Sequence, residues 1–214
     1  MNTIKLKGVV PEIFASNKEL RSEVWLSDVE FEQGKRYLIK ADSGTGKSSL
    51  LSYIYGQRGD YRGDILFNDQ NILTLSSHDW CMIRQSMLSI LFQDLKLFGE
   101  LTALENVEIK NRLTKTQPTR IIKGWFEELG IADKLKTRAD HLSYGQQQRV
   151  ALIRALCQPF NFLLLDEPIS HLDDRNSEVM RDIIIREATR QGAGIIATSI
   201  GKHMDMEYNK ILSL

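Results

Sequence analysis

One stretch of nine residues carries the most readable chemistry: Ala41-Asp42-Ser43-Gly44-Thr45-Gly46-Lys47-Ser48-Ser49. Gly44 and Gly46 let the backbone fold tightly, so that successive N–H groups point into one concavity. A helix starting directly behind them adds its dipole, and the whole becomes an anion site. Lys47 would reach the β- and γ-phosphates of a nucleotide, and the Ser48 hydroxyl would complete the shell of a Mg²⁺ ion. The strict pattern opens on Gly, and Ala41 stands there. A methyl costs little if that backbone has φ below zero and of order 1 kcal/mol if it does not. A second group is Phe162-Leu163-Leu164-Leu165-Asp166-Glu167, an apolar run that ends in two acids. Parallel sheets bind ligands beyond the carboxyl ends of their strands, which would bring both acids beside the phosphates. Asp166 would hold Mg²⁺, directly or through water, and Glu167 would orient and deprotonate the attacking water. The plainer alternatives are a solvated Gly/Ser turn and an acidic cap before Pro168. They leave unexplained why Gly-Lys-Ser-Ser sits at a strand-to-helix junction and why four apolar residues precede the acids.

These groups need elements to hold them. Strands are expected at Ile4–Val9, Val24–Leu26 and Val29–Phe31, with turn chemistry at Glu32-Gln33-Gly34-Lys35. Tyr37-Leu38-Ile39 feeds the glycine loop, and Leu50, Leu51, Ile54 and Tyr55 give the following helix one apolar face. Gly63 to Asp69 looks like a strand entering a hairpin. A β-rich start followed by strand, loop and helix indicates α/β. From about Asp94 to Leu142 the character turns helical, most clearly where Ile121, Ile122, Trp125, Phe126 and Leu129 recur at three and four residues before Gly130. Gln146 to Leu156 reads as another helix. Strands at Phe162–Leu165 and Gly194–Thr198, separated by helix from Glu178 to Ala188, imply parallel pairing through a right-handed crossover.

Composition narrows the function classes. The 214 residues carry 28 Lys+Arg against 28 Asp+Glu, so no field of one sign is available to grip nucleic acid. Cys81 and Cys157 are too few for a disulfide framework and suit a reducing cytosol. No apolar run approaches the ~20 residues that cross a bilayer, so direct membrane insertion is not expected and any membrane role would need a partner.

Taken together, the motifs resemble those of the ATP-binding-cassette (ABC) ATPases, over nearly the whole chain from Ile4 to Leu214. Leu142-Ser143-Tyr144-Gly145-Gln146 looks like the family's signature sequence, Gln93 in Leu91-Phe92-Gln93-Asp94 like its Q-loop, and Ser170-His171-Leu172-Asp173 like its D-loop. Phe14 falls where the family stacks an aromatic ring on adenine. The segments Phe92–Leu95 and Leu101–Val107 are most similar to the small ATPases of lipoprotein release, macrolide export and cell division. The resemblance implies a RecA-like parallel-sheet core, an N-terminal antiparallel β lobe and a helical lobe. Residues 1–93 and 151–214 would form the core with the β lobe, and 94–150 the helical lobe. It implies ATP and Mg²⁺ as cofactors, with Asp42, Ser43, Gly44, Thr45, Gly46, Lys47, Ser48 and Ser49 around the phosphates. Ser143, the Gly145 backbone and Gln146 would be donated to the γ-phosphate held by a second copy. Gln93 would act both in catalysis and, with Ser48 and Asp166, on the metal. A homodimer is expected, cytoplasmic and held to the inner face of the membrane by a separately encoded integral protein. That protein would dock a short helix in a groove lined by Leu95, Leu97, Phe98 and Leu101.

Two departures qualify this. Tyr144 replaces the Gly usual in the signature, and Ser199 stands where the family has a histidine that contacts the γ-phosphate. Loss of one such contact typically costs ~10²–10³ in rate, so the expectation is an active but slow ATPase that depends on Glu167. His203 has the wrong spacing to substitute. The alternatives are a module that closes on ATP and barely hydrolyses it, a soluble non-transport member of the family, and a small-molecule kinase. The last lacks any reason for Leu142–Gln146, and its substrate lid is not evident.

Overall fold

In a computed structural model, which describes residues 1–17, 19–170 and 172–214, strand and helix follow the expected order with additions. Strand β1 (Thr3–Pro11) pairs antiparallel with β2 (Asp28–Glu32) and with β4 (Tyr61–Phe67), which turns into the short β5 (Gln70–Asn71). This is the four-stranded sheet β2-β1-β4-β5. The second sheet runs β6-β7-β8-β3-β9, every pair parallel. It consists of β3 (Arg36–Lys40), β6 (Leu88–Leu91), β7 (Phe162–Asp166), β8 (Gly194–Ser199) and β9 (Lys210–Ser213).

Helices connect and cover these strands: α1 (Lys47–Ile54), α2 (Ser77–Ser86), α3 (Ala103–Thr114), α4 (Thr119–Glu128), α5 (Tyr144–Leu156) and α6 (Asp174–Gln191). The central strands β7 and β8 are buried along their whole length, which is why they read as nearly continuous apolar runs without alternation. Phe162, Leu164 and Ile196 point to the core shared with α1 and the antiparallel sheet, while Leu163, Leu165, Ile195 and Ala197 point to the core shared with α3–α6. All strand carboxyl ends of this sheet lie at one edge, and the glycine loop and the acidic pair are both there.

Three local expectations change. Val24–Leu26 is a turn and not a strand, because Leu26 takes a left-handed φ of 60° and Trp25 is drawn inward, 2% exposed. Helix α2 and strand β6, between Gly63–Asp69 and the helical region, were not anticipated. The boundary expected at residue 150 falls inside α5, which is a single helix through Leu156. Of the D-loop segment, His171 lies outside the described residues; Asp173 caps α6 by accepting the Asn176 N–H at 2.8 Å.

Candidate nucleotide site

The glycine loop joins β3 to α1, and its shape is enforced by neighbours on three sides. Gly46 has φ 100° and caps α1, its carbonyl taking the first helical bond from Leu50 N–H at 2.8 Å. A Cβ there would stand 3.1 Å from the Trp25 ring and 3.5 Å from that of Phe14, so both conformation and space call for glycine. Trp25 Nε1–H donates to the Thr45 carbonyl at 3.1 Å, and Thr45 Oγ1–H donates to the Asp42 carbonyl at 2.8 Å. Ala41 has no left-handed φ, so its methyl carries no backbone penalty, and its N–H donates to the Ser199 carbonyl at 3.2 Å. Lys47 is buried, its ammonium donating to the carbonyls of Asp42 at 2.7 Å and Ala41 at 3.3 Å and lying 3.8 Å from Glu167 Oε1.

Glu167 adopts φ 49°, a left-handed conformation that costs a non-glycine residue of order 1–2 kcal/mol. It is held there from β8: the Glu167 N–H donates to Thr198 Oγ1 at 3.2 Å, and the Thr198 hydroxyl donates to Asp166 Oδ1 at 2.7 Å. Thr198 therefore positions both acids. Burial pushes the Asp166 carboxyl above its ordinary value, against the opposing pull of the Ser48 and Thr198 hydroxyls and the Lys47 charge. A carboxylate left poorly solvated in this way is suited to a cation.

Ser43, Gly44, Gly46, Lys47, Ser48 and Ser49 meet Gln93 and Glu167 around a cavity of about 260 Å³. A second cavity of about 580 Å³ shares Ser48 and Gln93 with it and adds Asp166, Asp94 and Tyr144. Ser48 Oγ–H donates to Gln93 Oε1 at 3.3 Å. Hydroxyl, amide oxygen and carboxylate are the hard oxygen donors that Mg²⁺ prefers, so the donor set fits that ion.

Other expected residues lie elsewhere. Phe14 packs against Gly46, at the rim of the loop. Ser143 caps α5: its N–H donates to Gln146 Oε1 at 2.9 Å and its Oγ accepts the Gln146 N–H at 3.4 Å. Ser143 is exposed, and neither it, Gly145 nor Gln146 lines the phosphate cavity of its own chain. Ser199 is 3% exposed and its hydroxyl donates to the Lys202 carbonyl at 2.5 Å; the next residue, Ile200, 42% exposed, lines the phosphate cavity instead. His203 Nδ1 lies 3.2 Å from the Gly201 carbonyl and is outside that cavity. Trp25 and Thr198 were missed by sequence reasoning. Only the Ala-Thr-Ser end of a buried strand hinted at the second.

The ABC transporter family model matches residues 26–170, which contain the loop, the Q-loop and signature residues, and the acidic pair. The chain belongs to the ABC transporter family. An ABC transporter ATP-binding protein of Mycobacterium tuberculosis (strain CDC 1551) is 30% identical to the cassette over 188 residues, 86% of this chain and 76% of that protein. The macrolide export ATP-binding/permease protein MacB of Aggregatibacter actinomycetemcomitans is 30% identical over the whole chain, which corresponds to 33% of MacB. Among solved structures, the dimeric bacterial ABC transporter cassette MJ0796 superposes with a TM-score of 0.78 at 25% identity, covering 92% of this chain and 87% of that one. The cassette is thus an ATP-binding protein of the ABC type, with the RecA-like, antiparallel and helical parts expected of it.

Proposed function

We propose that the cassette is the ATP-hydrolysing subunit of a transporter-type complex, working as a head-to-tail dimer that holds two nucleotides between its copies. One observation supports this most directly. Lys47, Gln93, Asp166 and Glu167 gather around the phosphate loop, while Ser143, Gly145 and Gln146 of the signature turn stay outside the phosphate cavity of their own chain. The start of a long helix favours an anion, and in this reading the γ-phosphate on a second copy supplies one.

In this reading the loop N–H groups and Lys47 hold the β- and γ-phosphates, and Phe14 offers its ring to the adenine. Lys47 exchanges its present carbonyl partners for phosphate oxygens, which also frees Glu167 from its neighbour. Glu167 then takes the proton of the attacking water, at an oxygen whose position Thr198 fixes through the backbone. Ser48, Gln93 and Asp166 would hold Mg²⁺, which when bound neutralises charge on the phosphate oxygens. Closure of the dimer on ATP and its reopening after hydrolysis is a population shift that a membrane partner can harness. Among the described residues no helix is long and apolar enough to cross a membrane. In this reading a separately encoded integral protein provides the spans and holds the cassette at the cytoplasmic face. The likeness to MacB, whose name joins an ATP-binding part to a permease, supports association with a permease, whichever chain carries it.

Ile200 and the internally bonded Ser199 favour slow turnover, and they also support a second reading in which the module closes on ATP and hydrolyses it negligibly. The test is the Glu167→Gln protein. With ATP and Mg²⁺ it is expected to elute as a dimer in gel filtration and to release phosphate at least ~100-fold more slowly than wild type. A protein that remains monomeric under those conditions overturns the sandwich. Equal phosphate release by the two proteins would establish the switch reading over the motor.

A further inference from the structure

Tyr144 is a bulky residue where the family signature has glycine, and the fold gives its ring a definite destination. It occupies the first position of α5, next to the capping Ser143, and side chains there lean back over the helix entry. Its hydroxyl donates to the Gln93 carbonyl of the same chain at 2.7 Å, and the ring forms part of the wall of the cavity shared by Ser48 and Asp166. Gln93 is thereby held from two sides. Its side-chain oxygen accepts from Ser48 at the phosphate loop, and its backbone oxygen accepts from the signature helix.

The turn that follows Gln93 is unusual in the same direction. Leu95 and Lys96 are consecutive non-glycine residues with left-handed φ, 58° and 49°, a conformation disfavoured for side chains with a Cβ. Such a turn persists only where its surroundings over-determine it. The Lys96 N–H donates to the Asp94 carbonyl at 2.6 Å, and the Lys96 ammonium pairs with the Asp94 carboxylate at 2.5 Å. From below, Arg154 donates to the Lys96 carbonyl at 2.6 Å and to that of Leu95. Arg154 is also on α5, ten residues after Tyr144 and so about 15 Å along the helix axis. A single helix therefore grips the strained turn at both ends, Tyr144 at Gln93 and Arg154 at Leu95 and Lys96.

We propose that Tyr144 is a positioning residue that ties the signature helix of each subunit to that subunit's own Gln93 turn, so that the two nucleotide sites of the dimer respond together. The inference rests on the sandwich reading above and adds a coupling to it. When nucleotide and metal draw on the Gln93 side chain at one site, the backbone of the same residue carries that displacement through the phenol to the start of α5. There Ser143 and the Gly145 N–H face the other site. A glycine at position 144 offers no such link.

The test uses the full chain with Tyr144→Phe, which keeps the ring and removes the one hydroxyl, and with Tyr144→Gly as a second variant that removes the ring as well. Steady-state phosphate release against ATP concentration gives the Hill coefficient, and the Glu167→Gln background gives the ATP concentration at half-maximal dimerisation. Wild type is expected to be cooperative. In both variants the Hill coefficient is expected to fall toward one, and the dimerisation midpoint to rise about two- to tenfold, the range for one neutral hydrogen bond. ADP binding to the monomer should stay within about twofold, since no phosphate contact is removed. A Tyr144→Phe protein with the wild-type Hill coefficient and midpoint overturns the proposal. So does one that loses only thermal stability, the result expected of a ring that merely fills space. A sandwich that does not form is recognised separately, by a monomeric Glu167→Gln protein with Tyr144 intact, and it removes the proposal together with its foundation.

Discussion

Ile200, and not Ser199, lines the phosphate cavity at the end of β8. A histidine contact on the γ-phosphate would have to come from the end of β8, and the two residues there divide the work unexpectedly. Ser199 turns inward, buried and bonded to the Lys202 carbonyl, whereas Ile200 presents an apolar surface to the phosphate cavity. A polar donor at 200 is therefore better placed than one at 199. Ile200→His is expected to raise kcat for phosphate release by about tenfold or more, a part of the ~10²–10³ attached to a single well-placed donor. Ser199→His should instead lower the melting temperature, because an imidazole does not fit a hydroxyl's buried place and leaves the Lys202 carbonyl without its donor. Equal kcat for Ile200→His and wild type, at saturating ATP, would show that the cavity wall at 200 does not face the reacting phosphate.

Helices α2, α3 and α5 meet around three cations. Arg84 donates to the carbonyls of Tyr55 at 3.1 Å and Gly56 at 2.8 Å and lies over the rings of Tyr55 and Trp80; Arg154 holds the Leu95–Lys96 turn; Lys110 donates to the Arg84 carbonyl at 3.3 Å. Burial, with Arg154 and Arg84 nearby, lowers the Lys110 ammonium to about 8. Because the folded value is depressed, the folded protein releases this proton near pH 8 while the unfolded chain keeps it to about 10.5. The cost of the buried charge is thus full below pH 8 and is relieved as pH rises through that window. Lys110→Met is expected to raise the melting temperature relative to wild type at pH 7, with the difference shrinking between pH 8 and 10.5. A difference independent of pH would refute the buried charge. Elements such as these were unevenly legible from sequence. The periodic Ile121–Leu129 stripe and the apolar run Phe162–Leu165 of β7 announced themselves, since each buries most of its side chains. Helix α2 did not: Ile83 is its one buried residue, and its only clear signal was the Ser76/Asp79 capping box. Strand β6 is four residues long and exists because β7 pairs with it. The tripeptide Val24–Leu26 has strand-type residues, but the turn that delivers Trp25 to the phosphate loop overrides that preference. In the site, the loop and the acids were legible as contiguous motifs; Trp25, Thr198 and the tether of Tyr144 depend on contacts between distant segments.

On the scale of the molecule, the parallel sheet divides two cores, and the nucleotide residues lie along the edge where both meet. The groove expected for a membrane partner lies on the helical part, and its four lining residues differ in exposure. Leu95 belongs to the core and is not offered to a partner, whereas Leu97 and Leu101 are half-buried. Phe98 is 53% exposed, yet its backbone is fixed: its N–H donates to Asn106 Oδ1 at 2.8 Å and its carbonyl accepts from Asn106 Nδ2 at 3.0 Å. An exposed aromatic on a rigid support is a poor use of surface unless something covers it, and it loses little entropy when covered. Phe98→Glu is therefore expected to leave the melting temperature nearly unchanged, within the ±0.5 kcal/mol typical of surface sites, along with basal phosphate release and ATP-driven dimerisation. It should instead abolish retention of the Glu167→Gln protein on native membranes in ATP. That separation is informative because the two sets of measurements read different surfaces. Membrane retention equal to that of the parent protein would place the docking surface elsewhere on the cassette, whereas loss of dimerisation would mean that the Asn106-held turn serves the nucleotide site itself.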